Sequence, residues 1–421
     1  MGQQEHIMKF PAWVEIDLDA LSYNIRSLRT IVGQNRKICL VVKADAYGHG
    51  AVEVAQAALG AGVDMLGIAT LHEGIELRRA NVSAPMLVLS PSLPTEIEEL
   101  IAHRLRPSIS SETFARQLSE ASQRLSTTIP FHVEVDTGMG RTGLDYELAY
   151  GTLREIARLP GIAVEGLYTH FPDADNPDLG FARTQLERFN TLLSQLRKDG
   201  IHFELVHAAN SAGIINLPES LFNMARPGLL AYGLRPANQS TLDCDVKPVM
   251  SFKSCVVQLR SVSAGSYISY GRTHRVSKDS LIAVVPVGYG HGYSWNLSNA
   301  GEMLVRGKKV PIVGRVTMDL TMLDVTEVPD VAEGDEVVLF GRQGENQISV
   351  DEVAHKAGTV SYEILCSIGK RVVRTFFLNN RPSKVLTLVG ERKEIRPAEG
   401  SEGQEPFVQY LSVRAVPDER G

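Results

Sequence analysis

Eight short apolar runs, most of them followed by a stretch of helical spacing, fill residues 38 to 225 and leave few folds open to the chain. The runs fall at 38–42, 65–69, 86–89, 107–109, 131–135, 164–168, 203–206 and 222–225. Apolar residues three and four apart occupy 52–59, 75–80, 97–103, 114–125, 148–159 and 181–196, and the gap at 211–220 has room only for a short helix. Runs of this length that are apolar on both faces read as buried parallel strands. Strands alternating with helices imply either a doubly wound sheet or a closed barrel. No G-x-G-x-x-G follows the first run, and the count is eight, so the spacing predicts a TIM-like (β/α)8 barrel. The fourth run is the weakest of the set. A strand at Trp13 to Asp17 and a helix at Leu18 to Ile31 lead in, and the first domain is drawn at 1–240.

After about Arg235 the texture changes. Runs at 256–259, 281–287, 303–305, 310–313, 322–325 and 336–340 are separated by Gly, Pro and charged turns, which predicts a β-rich second domain over 241–378. Helical patterning there is confined to Val350–Ala357 and a short piece near Tyr362. Residues 379–421 hold one apolar run (385–389) and a Glu-, Gly-, Lys- and Pro-rich stretch at 391–405, so a mostly flexible tail is expected.

A net charge of -6 disfavours a nucleic-acid or acidic-membrane surface. The four cysteines, Cys39, Cys244, Cys255 and Cys366, form no C-x-x-C pair, so neither a disulfide framework nor a zinc site is expected. The polar opening and the lack of a long apolar run lead to the expectation of a cytoplasmic protein.

Chemistry in a barrel of this kind sits at the carboxyl ends of the strands. The first run ends on Lys43, with Tyr47 just beyond. A lysine held out of water can lose its charge and serve as a nucleophile, although a strand-end lysine more often snorkels into solvent. The fifth run ends in Asp136-Thr137-Gly138-Met139-Gly140-Arg141 and the sixth in Thr169-His170. The seventh runs into Asn210-Ser211, and the eighth into Arg226-Pro227-Gly228-Leu229. Barrels often bind phosphate at the last two strands, where Ser211 supplies a hydroxyl and Gly228-Leu229 offer backbone N–H groups. A lysine on the first strand and a phosphate site across the mouth together suggest pyridoxal phosphate held as an imine.

The segments VVKADAYGHG, DTGMGRTG, GLYTHF, HAANSAG, ARPGLLAYGL, SYGRTH, VGYGHGY, VGRVTMDLTMLDV and SYEILC follow one another in the family's order. On these the chain, from about Pro11 to Phe377, resembles the bacterial alanine racemases, pyridoxal phosphate enzymes of fold type III. The resemblance implies that Lys43 would carry the cofactor and then act as base or acid on one face of the substrate α-carbon. Tyr270, supplied by a partner subunit, would act on the other face, so a homodimer with shared sites is implied. Tyr47, Ser211, Gly228, Leu229 and Tyr362 would hold the phosphate, with Asn210 beside them. Arg226 would face the pyridine nitrogen, with His170 packed against it. Arg141 would lie near the ring hydroxyl and the substrate. Met318, from the partner, would present its N–H to the substrate carboxylate, and Tyr289 would narrow the approach. A phenol ordinarily titrates near 10, so a phenolic base needs positive neighbours. A permanently charged arginine at the pyridine nitrogen would weaken the electron sink, which suits a racemase better than an aminotransferase.

Four positions depart from the commonest family pattern. Glu134 stands where some relatives carry a carbamylated lysine, His291 where an aspartate is usual, Trp295 where an arginine is frequent and Thr317 where a cysteine is common. A racemase preferring serine, a non-catalytic pyridoxal phosphate carrier and a decarboxylase are the alternatives. Tyr270 and Met318 weigh against the carrier, and Arg226 against the decarboxylase.

Overall fold

The structure is a computed structural model that describes residues 10–236, 244–395 and 407–411. It comprises two compact units, one formed by Ala20–Lys247 and the other by Met1–Asp19 with Pro248–Gly421.

The first unit is the expected barrel. Its strands, numbered first to eighth in chain order, are Lys37–Val41, Met65–Ile68, Met86–Val88, Arg106–Ile109, Ile129–Asp136, Ile162–Tyr168, Leu205–His207 and Met224–Ala225. Each pairs in parallel with its sequence neighbour from the first through the seventh, and the eighth pairs back on the first. The seventh and eighth are joined by single bonds, from Asn223 N–H to the Val206 carbonyl (3.2 Å) and from Arg226 N–H to the Ala209 carbonyl (2.9 Å). Ile38, Cys39 and Leu40 are fully buried, as a strand covered on both faces requires. Helices of amphipathic pattern wrap the outside. Glu112–Arg124, for example, turns Phe114, Ala115, Leu118 and Ala121 inward. The weak fourth run is a true strand, and Ser108 within it takes the Tyr168 hydroxyl at 2.9 Å.

Two boundaries differ from the sequence reading. The leading strand Ala12–Asp17 does not join the barrel. It pairs antiparallel with Met250–Cys255 and parallel with Val373–Leu378, in the centre of the second unit's main sheet. The alternation of AWVEID marks a strand but not its partners, which lie hundreds of residues away. The tail expected to be flexible instead extends that sheet through Arg381–Thr387, Gly390–Ile395 and Phe407–Leu411. The hairpin into it turns on Asn379 and Asn380, both at positive φ (53° and 56°). Two such residues form the tight turn whose twist matches the flanking strands. Residues 396–406 and 412–421 of the expected tail lie outside the described residues.

The second unit's main sheet runs Lys308–Pro311, Glu302–Val305, Glu336–Gln343, Met250–Cys255, Ala12–Asp17, Val373–Leu378 and on to the added strands. A three-stranded sheet (Gln258–Val262, Ser280–Val285, Thr321–Asp324) and the hairpin Tyr267–Ile268/His274–Arg275 complete it. The expected helix Val350–Ala357 is present, followed by Ser361–Cys366, which carries Tyr362.

Candidate active site

The residue after the first barrel strand is Val42, and Lys43 opens a turn of unusual hand. Ala44, Asp45, Ala46 and Tyr47 all have φ between 52° and 54°. None is glycine, so each is held in a conformation that costs an L-residue about 1–2 kcal/mol. The turn is closed by Ala46 N–H to Val42 O (2.8 Å), Gly48 N–H to Ala44 O (2.9 Å) and Gly50 N–H to Asp45 O (3.0 Å). The Asp45 carboxylate accepts the N–H of Ala51 at 2.7 Å and caps the next helix. His49 Nδ1 lies 3.0 and 2.9 Å from the carbonyls of Ala46 and Tyr47. Glu73 ties the turn from outside. Its carboxylate accepts the N–H groups of Ala44 (2.8 Å) and, on the second loop, of Ala69 (2.6 Å) and Thr70 (3.2 Å). Sequence reasoning missed Glu73. Its only signal was the T-x-x-E of a capping box at Thr70.

Arg226 directly follows the eighth strand and is only 3% exposed. Its guanidinium donates to the carbonyls of Thr169 (2.8 Å) and Ala208 (3.2 Å), to His170 Nδ1 (3.3 Å) and to His207 Nδ1 (2.5 Å). It also lies 5.0 Å over the Tyr168 ring. The His170 imidazole is pushed down to about 3 by burial and then by the positive charges of Arg226, Arg141 and Lys43. Lys43, Arg141, His170 and Arg226 thus meet at one end of the barrel, with His170 neutral among three cations.

Across the mouth, the Ser211 hydroxyl accepts the N–H groups of Gly228 (2.9 Å) and Leu230 (3.4 Å). A Cβ on Gly228 would come within 2.9 Å of the Tyr47 hydroxyl, so this glycine keeps a narrow cradle open between Tyr47 and Ser211, with Leu229 next in the chain. Two hydroxyls, Tyr47 and Ser211, border the space that Gly228 leaves, a polar setting that suits a phosphate. Asn210 is used otherwise. Its amide caps the helix at Gly213 N–H (2.9 Å) and donates to Phe171 O (3.1 Å). The Asp136 carboxylate gathers the N–H groups of Gly138 and Gly140, which shapes the loop carrying the exposed Arg141. Glu134 is buried and accepts the Thr142 hydroxyl at 2.7 Å. It is therefore an internal carboxylate.

The second unit carries the remaining predicted residues. Tyr270 is 76% exposed, on a turn whose neighbours Ser269, Gly271 and Arg272 all have positive φ. With Tyr289, Trp295, Arg315 and Thr317 it lines an open cavity of about 270 Å³. The Arg315 guanidinium lies 4.4 Å over the Trp295 ring. The N–H groups of Tyr289 and Gly290 bond to the carbonyls of Thr317 and Met318, both at 2.9 Å. This strap approaches so closely that a Cβ on Gly288 would sit 2.0 Å from the Thr317 oxygen. The Thr317 hydroxyl closes the 317–320 turn on Leu320, with Met318 exposed on it. His291, which departs from the family pattern, is buried and accepts the N–H of Gly288 at 3.3 Å. Tyr362 is exposed on its helix. Tyr270, Tyr289 and the 317–318 turn are therefore one cluster, and the lysine with its cradle is another.

Residues 16–236 match the profile "Alanine racemase, N-terminal domain" and residues 249–376 match "Alanine racemase, C-terminal domain". The chain belongs to the alanine racemase family. It is 44% identical over 366 residues to the alanine racemase of Halothermothrix orenii, covering 87% of this chain and 97% of that one. The solved alanine racemase of Clostridium difficile superposes with a TM-score of 0.86 at 33% identity, covering 90% of this chain and 99% of that one. An alanine racemase from Bartonella henselae, solved with covalently bound pyridoxal phosphate, gives a TM-score of 0.78 at 27% identity over 87% and 99% of the two chains. Among the described residues, no helix is long and apolar enough to cross a membrane.

Proposed function

We propose that this chain is a cytoplasmic alanine racemase that interconverts L- and D-alanine with pyridoxal phosphate, works as a homodimer and supplies D-alanine for peptidoglycan. The observation that carries the reading is the strained turn that presents Lys43, together with Arg226, His170 and the Gly228–Ser211 cradle at the same barrel mouth. When bound through Lys43, the cofactor supplies an electron sink that acidifies the substrate Cα–H.

The chain's own residues would do the rest. Tyr47, Ser211 and the backbone N–H of Leu229 would hold the phosphate, with Gly228, whose N–H goes to the Ser211 hydroxyl, keeping the space open, and with Tyr362 as a further candidate. Asn210 would act on the cofactor only indirectly, by capping the helix that begins at Ser211. Arg226 would face the pyridine nitrogen as a charged donor that cannot give up its proton, which keeps the sink weak and limits side reactions. Arg141 would order the ring-hydroxyl side and the substrate carboxylate.

Racemisation takes a proton from one face of the α-carbon and returns one to the other. Lys43 Nζ would serve one face and Tyr270 of the partner subunit the other. Met318 of the partner subunit would give its N–H to the carboxylate, and Tyr289 of the partner subunit would narrow the approach. The dimer reading is supported by the exposed aromatic and apolar side chains of Tyr270, Tyr289, Trp295, Met318 and Leu320, which a partner surface would cover.

The test is a racemisation panel on the purified, cofactor-loaded protein, with L-alanine, L-serine and L-lysine read by chiral chromatography. Alanine should turn over fastest, Lys43→Ala should abolish turnover and Tyr270→Phe should remove most of it. Unchanged turnover in Lys43→Ala would sink the assignment. A preference for L-serine would move the substrate and keep the chemistry, since one hydroxyl is weakly discriminated by a small pocket.

A further inference from the structure

The barrel interior holds titratable side chains that no step above consumes. Arg226 Nη1 donates to His207 Nδ1 at 2.5 Å. His207 Nε2 lies 2.7 Å from His132 Nδ1. His132 Nε2 lies 3.0 Å from Glu165 Oε2, which also receives Arg106 Nε at 2.6 Å, while Arg106 Nη2 reaches Oε1 at 3.1 Å. The first three bonds link the residue at the barrel mouth to an ion pair between the fourth and sixth strands.

Only one arrangement of protons satisfies the whole row. A guanidinium cannot accept, so His207 Nδ1 is bare and its proton sits on Nε2. That proton points at His132 Nδ1, which must be bare in turn, so the His132 proton sits on Nε2 and points at the carboxylate. A second proton on either ring would set N–H against N–H, or N–H against the guanidinium. The charges facing the rings agree. Burial and then the Arg226 charge push His207 well down, and burial pushes His132 down, with Arg106 and Arg226 opposing the Glu165 carboxylate. The packing is built for the same pose. The Tyr168 ring stacks flat on His207, 4.7 Å between centres and 7° between planes. Gly166 leaves the space His132 needs, since a Cβ there would lie 2.4 Å from His132 Nδ1.

We infer that His132 and Glu165 are positioning residues for Arg226: through His207 they fix the guanidinium as a charged donor at the barrel mouth. The inference rests on the reading of Arg226 as the residue that faces the cofactor ring. A buried guanidinium needs every donor paired and its charge answered. Thr169, Ala208 and His170 answer the outward nitrogen. The buried Glu134 carboxylate acts on the Arg226 charge directly, whereas the inward nitrogen has His207, with Glu165 at the far end of a chain of bonds that polarise one another. Without the carboxylate, His132 has no reason to keep its proton on Nε2. If its tautomer flips, the His207 proton moves to Nδ1 and meets Arg226.

The experiment uses holoenzyme labelled with 15N-histidine, as wild type, Glu165→Gln, Glu165→Asp and Gly166→Ala. Ring 15N shifts are read from pH 6 to 9, beside kcat and KM. In the wild type His132 and His207 should both be neutral Nε2–H tautomers throughout. Glu165→Gln and Gly166→Ala should mix the tautomers of both rings. They should lower kcat by about tenfold with KM within about twofold, the size of loss expected when a group is displaced by a fraction of an ångström. Glu165→Asp should restore part of both. A wild-type His207 carrying its proton on Nδ1, or a protonated ring near neutrality, would overturn the inference. So would a Glu165→Gln protein with wild-type ring signals. If the wild type racemises nothing, the proposed function fails, while the ring signals still decide the network.

Discussion

The left-handed turn that carries Lys43 should be sensitive to Glu73, a residue that touches no reacting atom. Four consecutive αL residues, at about 1–2 kcal/mol each, store several kcal/mol that surrounding bonds must hold. Glu73→Ala removes three acceptor contacts at once. Loss of the Thr70–Glu73 capping box costs about 1 kcal/mol. The bond to the partly buried Ala69 N–H adds about 1 kcal/mol, and the Ala44 bond, which faces solvent, about 0.5 kcal/mol. The sum, about 2.5 kcal/mol, lowers the melting temperature of a barrel unit of this size by roughly 5–10 °C. Differential scanning calorimetry on the apo protein reads this directly. Retention of pyridoxal phosphate on dialysis reads the second consequence, because a relaxed turn no longer presents Lys43. Glu73→Gln, which keeps one acceptor oxygen, should fall between. A Glu73→Ala protein that melts within about 1 °C of wild type and keeps its cofactor equally well would refute the reasoning. A lowered melting point with unchanged retention would leave Glu73 as a helix cap and nothing more.

Three further outcomes are expected. Gly228→Ala should weaken cofactor retention by at least about tenfold with little change in melting, because the added Cβ sits 2.9 Å from the Tyr47 hydroxyl and fills the cradle; equilibrium dialysis measures it. Burial alone would raise the Glu165 carboxyl, but the bonds from His132 and Arg106 outweigh it and bring it from 4.5 to about 2. A depressed acid contributes stability that is complete above the unfolded value and is lost as pH falls through the folded one. Wild type should therefore exceed Glu165→Gln by up to about 3 kcal/mol at pH 6, with the gap closing between pH 4.5 and 2; urea midpoints across that range check it. Replacing both Asn379 and Asn380 with Ala should cost about 1–2 kcal/mol and expose the following strand to limited proteolysis, whereas Asn-Gly at the same positions should not.

The barrel was legible because its strands are local runs, most of them largely buried, and the lysine was legible because it follows the first of them. Partners were less so. AWVEID reads as a strand, yet nothing in six residues says that Met250–Cys255 and Val373–Leu378 flank it. Met250–Cys255 itself went unrecognised, since MSFKSC alternates buried and half-buried positions with small polar residues in place of β-branched ones. The charged composition of the tail points to flexibility, while the Asn-Asn pair between TFFL and RPSKVLT carries the hairpin signal.

The site divides in the same way. Residues that end strands could be read off, and those that hold them could not. Lys43 and Arg226 stand out as charges after apolar runs. Glu73 and Glu165 read as ordinary helix and strand carboxylates, and the four αL residues after Lys43 include no glycine to announce the turn. What makes Lys43 and Arg226 more than strand-end cations is supplied by these less visible residues. One carboxylate braces the backbone beside the lysine, and the other lies at the end of the hydrogen-bonded row behind the arginine. A chain that kept every recognisable motif and lost Glu73 or Glu165 would still read as a member of the family. Its lysine and arginine would be present but loosely held, and reactions that depend on orientation lose rate steeply when a group is misplaced by an ångström.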